Sequence, residues 1–391
     1  MNSCTTSTAK AGNCRNPPRL QHRATIIPSA LWRRRRPGAG ETARASSSGR
    51  PRHGCGGTCV RGLWLALCAL LVPAAAAREI TLLNASYDPT REFYQEFNAA
   101  FTQYWLTRTG DRVRVLQSHA GSSKQARAVS DGLPADVVTL AMAYDIDAIA
   151  VVGGRLATNW QSRFPYNSAP YTSTIVFLVR PGNPKHVRDW NDLVKPGLSV
   201  IMPNPKTSGG ARWAYLAAYG YARTRPGADD HKARAYLAEL LRQVPILDTG
   251  ARGAATTFLN RNVGDVLITW ENEAFLALKE QHGHQAELVV PATSILAEPA
   301  VAVVDRVARR HGTETVARAY LDYLYSETGQ ETAARHGFRP RLETVARQYA
   351  AQFATARLFT IDEVFGGWAK AHAAHFRDGG LFDLLWGEAR H

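Results

Sequence analysis

Beyond residue 77 the sequence alternates short β-branched runs with stretches of helical periodicity, and this alternation narrows the fold more than any other feature. Runs of strand character fall at 79–83, 113–116, 136–141, 174–179, 198–202, 244–247, 266–269, 288–290 and 301–304. After the first of them, Asp88, Pro89 and Thr90 open a helix with proline near its first position. In that helix Phe93, Tyr94, Phe97, Phe101, Tyr104 and Trp105 recur at helical spacing. Further helices are expected at 123–130 and 211–222. Past residue 304 the pattern is mostly helical, at 313–326, 331–336, 342–353 and 361–376. Strand–helix alternation of this kind predicts an α/β fold with mainly parallel sheets. Ligands in such folds sit beyond the carboxyl ends of the strands. Residues 78–391 are enough for two domains of about 150 residues each.

Charge and cysteine content mislead until they are located. The chain of 391 residues carries 47 Lys and Arg against 33 Asp and Glu, a net +14, and five cysteines. Twelve of the basic residues and only one acid, Glu41, lie in residues 1–77, and so do Cys4, Cys14, Cys55, Cys59 and Cys68. The remainder holds 35 basic and 32 acidic residues and no cysteine. A disulfide framework, a cysteine-ligated metal and a cysteine nucleophile are excluded there. Its near balance of charge gives no footprint for nucleic acid.

The first 77 residues read as a leader. Residues 63–72 (LWLALCALLV) are an apolar run too short to span a bilayer, which needs about 20 residues. With Arg61 before it and Ala74 to Ala77 after it, the run has the layout of a secretory signal peptide cleaved after Ala77. Residues 60–77 alone have a usual signal length, so Val60 is the expected start and 1–59 an over-extended reading of the gene. The run Arg33 to Arg36 lies 26 residues before the apolar stretch, a poor twin-arginine signal. Cys68 lies inside that stretch behind Leu67, a poor lipoprotein anchor. The expected location is the periplasm.

Four strand-to-helix junctions share one design, with small or hydroxyl residues where a helix starts. They are Tyr87-Asp88-Pro89, Gly121-Ser122-Ser123-Lys124, Ser208-Gly209-Gly210-Ala211 and Gly250-Ala251-Arg252-Gly253. The first turn of a helix has unpaired N–H groups and a partial positive charge, and small residues let an anion approach them closely. One such junction is an ordinary cap; four in one α/β chain point to an anion site. No Gly-Lys-Ser/Thr follows them and no G-x-G-x-x-G occurs, so a nucleotide site is not expected.

Enzyme constellations are weak. There is no G-x-S-x-G elbow and no H-E-x-x-H. His282 and His284, and the pair His372 and His375, have some metal-ligand character but read better as solvated surface. Glu271 and Glu273 read better as a polar strand end than as an acid–base pair. Trp270 closes the strand 266–269, where strand ends face the ligand crevice. Its indole N–H donates and accepts nothing.

Several segments together resemble a known family: SYDPTRE at 86–92, QSHAGSSKQA at 117–126, NPKTSGGARW at 204–213, TGARG at 249–253, GDVLITWENEA at 264–274 and TIDEVFGGWAKA at 360–371. The chain is identified by them as similar to the periplasmic sulfate-binding (sulfate/thiosulfate-binding) proteins of ABC importers, over 78 to about 385. The resemblance implies a two-lobed type II periplasmic binding protein fold, with 78–170 and 292–391 in lobe one and 171–291 in lobe two. It implies no enzyme activity, no cofactor, no metal and a monomer that hands its ligand to the permease in the inner membrane. It carries over seven ligand-binding residues: the N–H of Asp88, Ser122, the hydroxyl of Ser208, the N–H groups of Gly209, Gly210 and Ala251, and the indole of Trp270. Ser123 stands where the family often has glycine, which should stiffen that turn.

Such a site suits sulfate, a dianion without protons at neutral pH, because every contact is a donor. Monohydrogen phosphate would need an acceptor for its proton. Lys124, Arg212 and Arg252 flank the ligand turns and are expected mainly to serve the turns' own structure. The rival readings are a receptor for another oxyanion, molybdate or phosphate, and a regulatory effector domain of the same fold.

Overall fold

The computed structural model describes residues 77–280 and 285–390. The leader, with its signal segment, its cysteines and Arg33 to Arg36, and the pair His282 and His284 lie outside the described residues. Among the described residues no helix is long and apolar enough to cross a membrane.

Thirteen strands occur among the described residues: β1 Glu79–Tyr87, β2 Arg112–Ala120, β3 Val137–Leu140, β4 Tyr171–Thr172, β5 Ile175–Val179, β6 Val200–Pro203, β7 Leu247–Asp248, β8 Val266–Trp270, β9 Glu287–Val289, β10 Thr293–Ile295, β11 Ala300–Val303, β12 Arg339–Pro340 and β13 Arg357–Phe359. They build two main sheets, with orders β11-β3-β1-β2 and β7-β6-β8-β5-β9. The expectation of mainly parallel sheets holds with one exception in each. β11 runs antiparallel to β3, and β5 runs antiparallel to both β8 and β9. The reversed strand is in each case the first to enter its sheet after the chain has crossed from the other.

The two crossings lie side by side. Ser173 and Ala297 exchange backbone hydrogen bonds of 2.9 Å in both directions. Thr174 donates its hydroxyl to the Ile295 carbonyl, and Ser294 donates to that of Ile175. The buried hydroxyls of Thr174 and Ser294 are thus satisfied where two connecting segments touch, while that of Ser173 is left without a partner.

Burial explains the sequence patterns. β3, β5, β6, β8 and β11 are buried along their whole length, which is why they read as continuous apolar runs rather than alternating ones. Helix Arg91–Thr109 places Phe93, Tyr94, Phe97, Phe101 and Trp105 in one aromatic core with Tyr320, Leu324 and Phe338. Each such side chain contributes roughly 1.5–3 kcal/mol by leaving water.

The C-terminal segment departs from expectation. The resemblance implies that 292–391 belongs with 78–170 in lobe one, and β11, helix Glu314–Tyr323 and helix Glu327–Arg335 do pack with helix Arg91–Thr109. From β13 onward, however, Phe359, Ile361, Phe376, Phe382 and Leu385 join the core of the second layer, against helix Gly209–Arg223. The contact is close enough that a methyl on Gly220 would lie 2.2 Å from the Phe359 ring. The single helix expected over 361–376 is broken by Gly366 and Gly367, whose φ values of 68° and 96° favour glycine. It becomes Ile361–Phe365, Trp368–Ala371 and a π-helical turn His372–Phe376.

Candidate functional site

Each expected ligand turn lies at the carboxyl end of a strand. β1 ends at Tyr87 and runs into Asp88; β2 runs into helix Ser122–Asp131; β6 leads by a short turn to helix Gly209–Arg223. β7 leads to helix Ala251–Ala255, and β8 ends on Trp270 itself. The first two belong to one sheet and the last three to the other, so the site lies between the layers.

All seven residues line one cavity. Asp88, Ser122, Ser208, Gly209, Gly210, Ala251 and Trp270 are joined there by Tyr87, Pro89, Gly121, Ala141 and Gly250. The space is small, about 10 Å³ for the centre of a water-sized sphere. That is room for one compact ion and nothing larger. No Lys, Arg or His lines it, and its one acid, Asp88, has its carboxylate 2.6 Å from Arg91.

The local donors follow from the sequence. Ser208 caps helix Gly209–Arg223, accepting from the Ala211 N–H. The N–H groups of Gly209, Gly210 and Ala251 are in first helical turns, where no intrahelical acceptor exists. Trp270 is 1% exposed, and its indole nitrogen is a buried donor without a partner. Gly210 is glycine because the indole leaves no room: a Cβ there would lie 2.1 Å from Trp270 Nε1. A Cβ on Gly209 would lie 2.8 Å from the Ala141 methyl and 3.0 Å from Ser122 Cβ. These close approaches, the second of them across the layers, are a physical reason for the Gly-Gly pair.

Ser122 has a more complex environment than the sequence shows. Its hydroxyl donates to Asp145 Oδ2 at 2.5 Å and accepts from the Ala141 N–H at 3.0 Å. Ser123, the residue in place of glycine, donates to the other oxygen of Asp145 at 3.0 Å. Asp145 is thus a carboxylate one atom behind the cavity wall. Burial pushes its carboxyl above the ordinary range, against Arg212 and the two serines.

Other contacts tie the layers together around the cavity. Trp213 donates its indole N–H to the Ala141 carbonyl at 2.8 Å. Arg252 directs a fork of two N–H groups at Glu92, at 2.7 and 3.3 Å, and its Nε at Glu273, at 2.8 Å. Burial works against the Arg252 charge, and the two carboxylates outweigh it, so that its pKa stands above the usual guanidinium value. Arg212 donates to the Pro205 carbonyl in the turn before Ser208, as expected of a residue serving its own turn.

Several minor expectations are corrected. Glu271 is not a solvated strand end: it is 0% exposed and grips Arg339 through two bonds of 2.7 Å. Glu273 is its counterpart for Arg252. Sequence spacing marked this acidic pair without showing its partners, which are 21 and 68 residues away. His375 is a core residue, 5% exposed, with Nδ1 3.2 Å from the Tyr215 hydroxyl. Burial pushes its pKa down to about 4. His372 stacks on Tyr144 at 4.1 Å.

A two-layer α/β chain with a small anion-sized cavity between the layers is the plan of a solute receptor. The chain belongs to the family of bacterial extracellular solute-binding proteins, whose sequence pattern it matches over residues 82–339. It is 59% identical over 309 residues to the sulfate-binding protein of Salmonella typhimurium, covering 79% of this chain and 94% of that one. It is 47% identical over 317 residues to the thiosulfate-binding protein of Pseudomonas aeruginosa, covering 81% and 95%. Among solved structures it resembles the sulfate-binding protein SubI of Mycobacterium tuberculosis H37Rv. The TM-score is 0.67 at 31% identity, covering 75% of this chain and 98% of that one. Its fold is that of a two-lobed periplasmic binding protein.

Proposed function

We propose that this chain is a periplasmic receptor that binds sulfate between two lobes and delivers it to an ABC-type permease. One observation carries the ligand class: the indole N–H of Trp270 is buried without a partner, in a cavity lined by donors and by no cation. An unpaired buried donor is costly, and an anion offsets that cost. The absence of a lining Lys or Arg leaves the electrostatics to helix N-termini and peptide dipoles. Hydrogen bonds to a charged group are worth roughly 1.5–3 kcal/mol each. About seven of them, against the desolvation of a dianion, leave on the order of −8 kcal/mol, or micromolar affinity and tighter.

In this reading lobe one comprises 78–170 and the returning chain from about 292 to the middle 350s. Lobe two comprises 171–291, with the C-terminal segment packed on it. Asp88 and Ser122 contribute backbone N–H groups from lobe one, the Ser122 hydroxyl being donated to Asp145, and the other five residues contribute from lobe two. Ligand entry therefore favours the closed form, which is the form a permease distinguishes. Nothing in the cavity accepts and returns a proton near neutrality, so binding rather than catalysis is the role. The chain acts as a monomer and without a cofactor.

Calorimetric titration with sulfate, thiosulfate, molybdate and phosphate tests the reading. Sulfate is expected to bind with micromolar affinity or better, thiosulfate within reach of it, and phosphate far more weakly. Tight phosphate binding would contradict the donor-only account, and molybdate preferred over sulfate would reassign the ligand.

A further inference from the structure

A second pocket lies just outside the ligand turn. It measures about 400 Å³ on the same scale as the inner cavity and is lined by Lys206, Arg212, His372, Phe376, Arg377 and Asp378. Lys206 is already neutralised: its ammonium is 3.1 Å from Asp378 and 2.9 Å from Asp383. Two guanidinium groups remain. Arg212 is 7% exposed, and its guanidinium lies 5.3 Å over the Phe376 ring. Among the described residues neither Arg212 nor Arg377 has a carboxylate within ion-pair distance. The buried Asp145 carboxylate acts on Arg212 only from beyond ion-pair distance, and the Arg212 Nε donates to the Pro205 carbonyl, so its outer N–H groups remain available to an anion. Guanidinium groups are also the side chains whose paired donors best match oxyanions.

The placement gives the pocket a role. Lys206 precedes Ser208 by two residues, and Arg212 follows it by four. His372, on the C-terminal segment, stacks face to face on Tyr144 of the first layer, at 4.1 Å and 15°. All six lining residues belong to the second layer or to the segment packed on it. Tyr144 itself does not line the pocket, so its walls come from one side alone, beside the Ser208 turn.

We propose that this pocket is an outer oxyanion site on lobe two, where Arg212 and Arg377 capture sulfate before it passes to the Ser208–Gly210 turn. The proposal rests on the sulfate-receptor reading. The inner cavity fixes affinity with neutral donors, while the outer pocket supplies the net positive charge that raises the encounter rate. Arg377 is exposed and does not touch the inner cavity, so it is the residue to change.

The test is stopped-flow tryptophan fluorescence on the full chain with sulfate at low ionic strength. Arg377→Gln is expected to lower the association rate about three- to ten-fold, Arg377→Glu to lower it further, and Arg377→Lys to restore most of it. The dissociation rate should stay at the wild-type value, and the variants should depend less steeply on salt. Thermal melting identical to wild type confirms that the fold is unaltered. Wild-type association rates in both the Gln and Glu variants would overturn the outer site while leaving the receptor reading intact. A wild-type chain that binds no sulfate would overturn both.

Discussion

Replacing Trp270 by phenylalanine separates the ligand contribution of one atom from the stability of the fold. The indole nitrogen is buried and unpartnered, and the ring packs between Tyr87, at 5.8 Å, and Trp213, at 6.5 Å. Phenylalanine keeps the aromatic packing and removes the donor. A hydrogen bond to a charged group is worth about 1.5–3 kcal/mol. Its loss should therefore weaken sulfate binding by about 10- to 150-fold. The ligand-free protein should respond differently. It loses an unsatisfied buried N–H, a relief of about 1–3 kcal/mol, and gains a small cavity at about 1 kcal/mol. These nearly cancel, so its melting temperature should move by only a few degrees. Calorimetric titration gives the affinity, and melting curves with and without sulfate give the two stabilities. Unchanged affinity in the variant would remove Trp270 from the site. A large drop in ligand-free stability would show that the indole N–H is satisfied within the protein and that the reasoning from its orphaned state is wrong.

Other perturbations probe the surroundings. Gly210→Ala would drive a methyl to 2.1 Å from Trp270 Nε1; titration should show sulfate binding weakened by at least about 100-fold, the upper range of what a single hydrogen bond accounts for. Glu92→Gln removes the cross-layer partner of Arg252 and leaves Glu273 in place. The pair is about one-third exposed and so worth at most about 1 kcal/mol, and the sulfate dissociation rate should rise up to about five-fold with association little changed. Burial holds the pKa of His119, His372 and His375 at about 4, against an unfolded value of 6.5. In the window between 6.5 and 4 the unfolded chain binds more protons, so stability should fall as pH falls through it. Denaturant titration between pH 7 and pH 4 would read this, and His375→Gln should flatten the dependence.

The residues that carry the site were legible because their chemistry is local. A glycine or serine at a helix start and a tryptophan at a strand end declare themselves by position, and the structure places all seven in one cavity. The aromatic face of helix Arg91–Thr109 was legible for the same reason, since its period is set by the helix alone. What could not be read depends on partners far along the chain. Asp145 lies 23 residues from Ser122 and Arg339 lies 68 from Glu271, and no spacing rule connects them. Helix Ala143–Gly153, which carries Asp145, went unread because its face is apolar nearly all round. The docking of the C-terminal segment on the second layer depends on Phe359 meeting Gly220, a packing fact without a local signature. The break at Gly366 and Gly367 was visible in the letters, but an Ala-rich period on its far side masked it.

The central claim is that donors alone hold a proton-free tetrahedral anion between the layers. Diffraction from crystals grown with selenate, at the selenium absorption edge, tests it most directly. The account predicts an anomalous peak in the cavity, with Trp270 Nε1, Ser208 Oγ and the N–H groups of Asp88, Ser122, Gly209, Gly210 and Ala251 each within hydrogen-bonding distance of a selenate oxygen. A cavity without selenium while the anion sits elsewhere, or an anion held there by a Lys or Arg side chain, would contradict it.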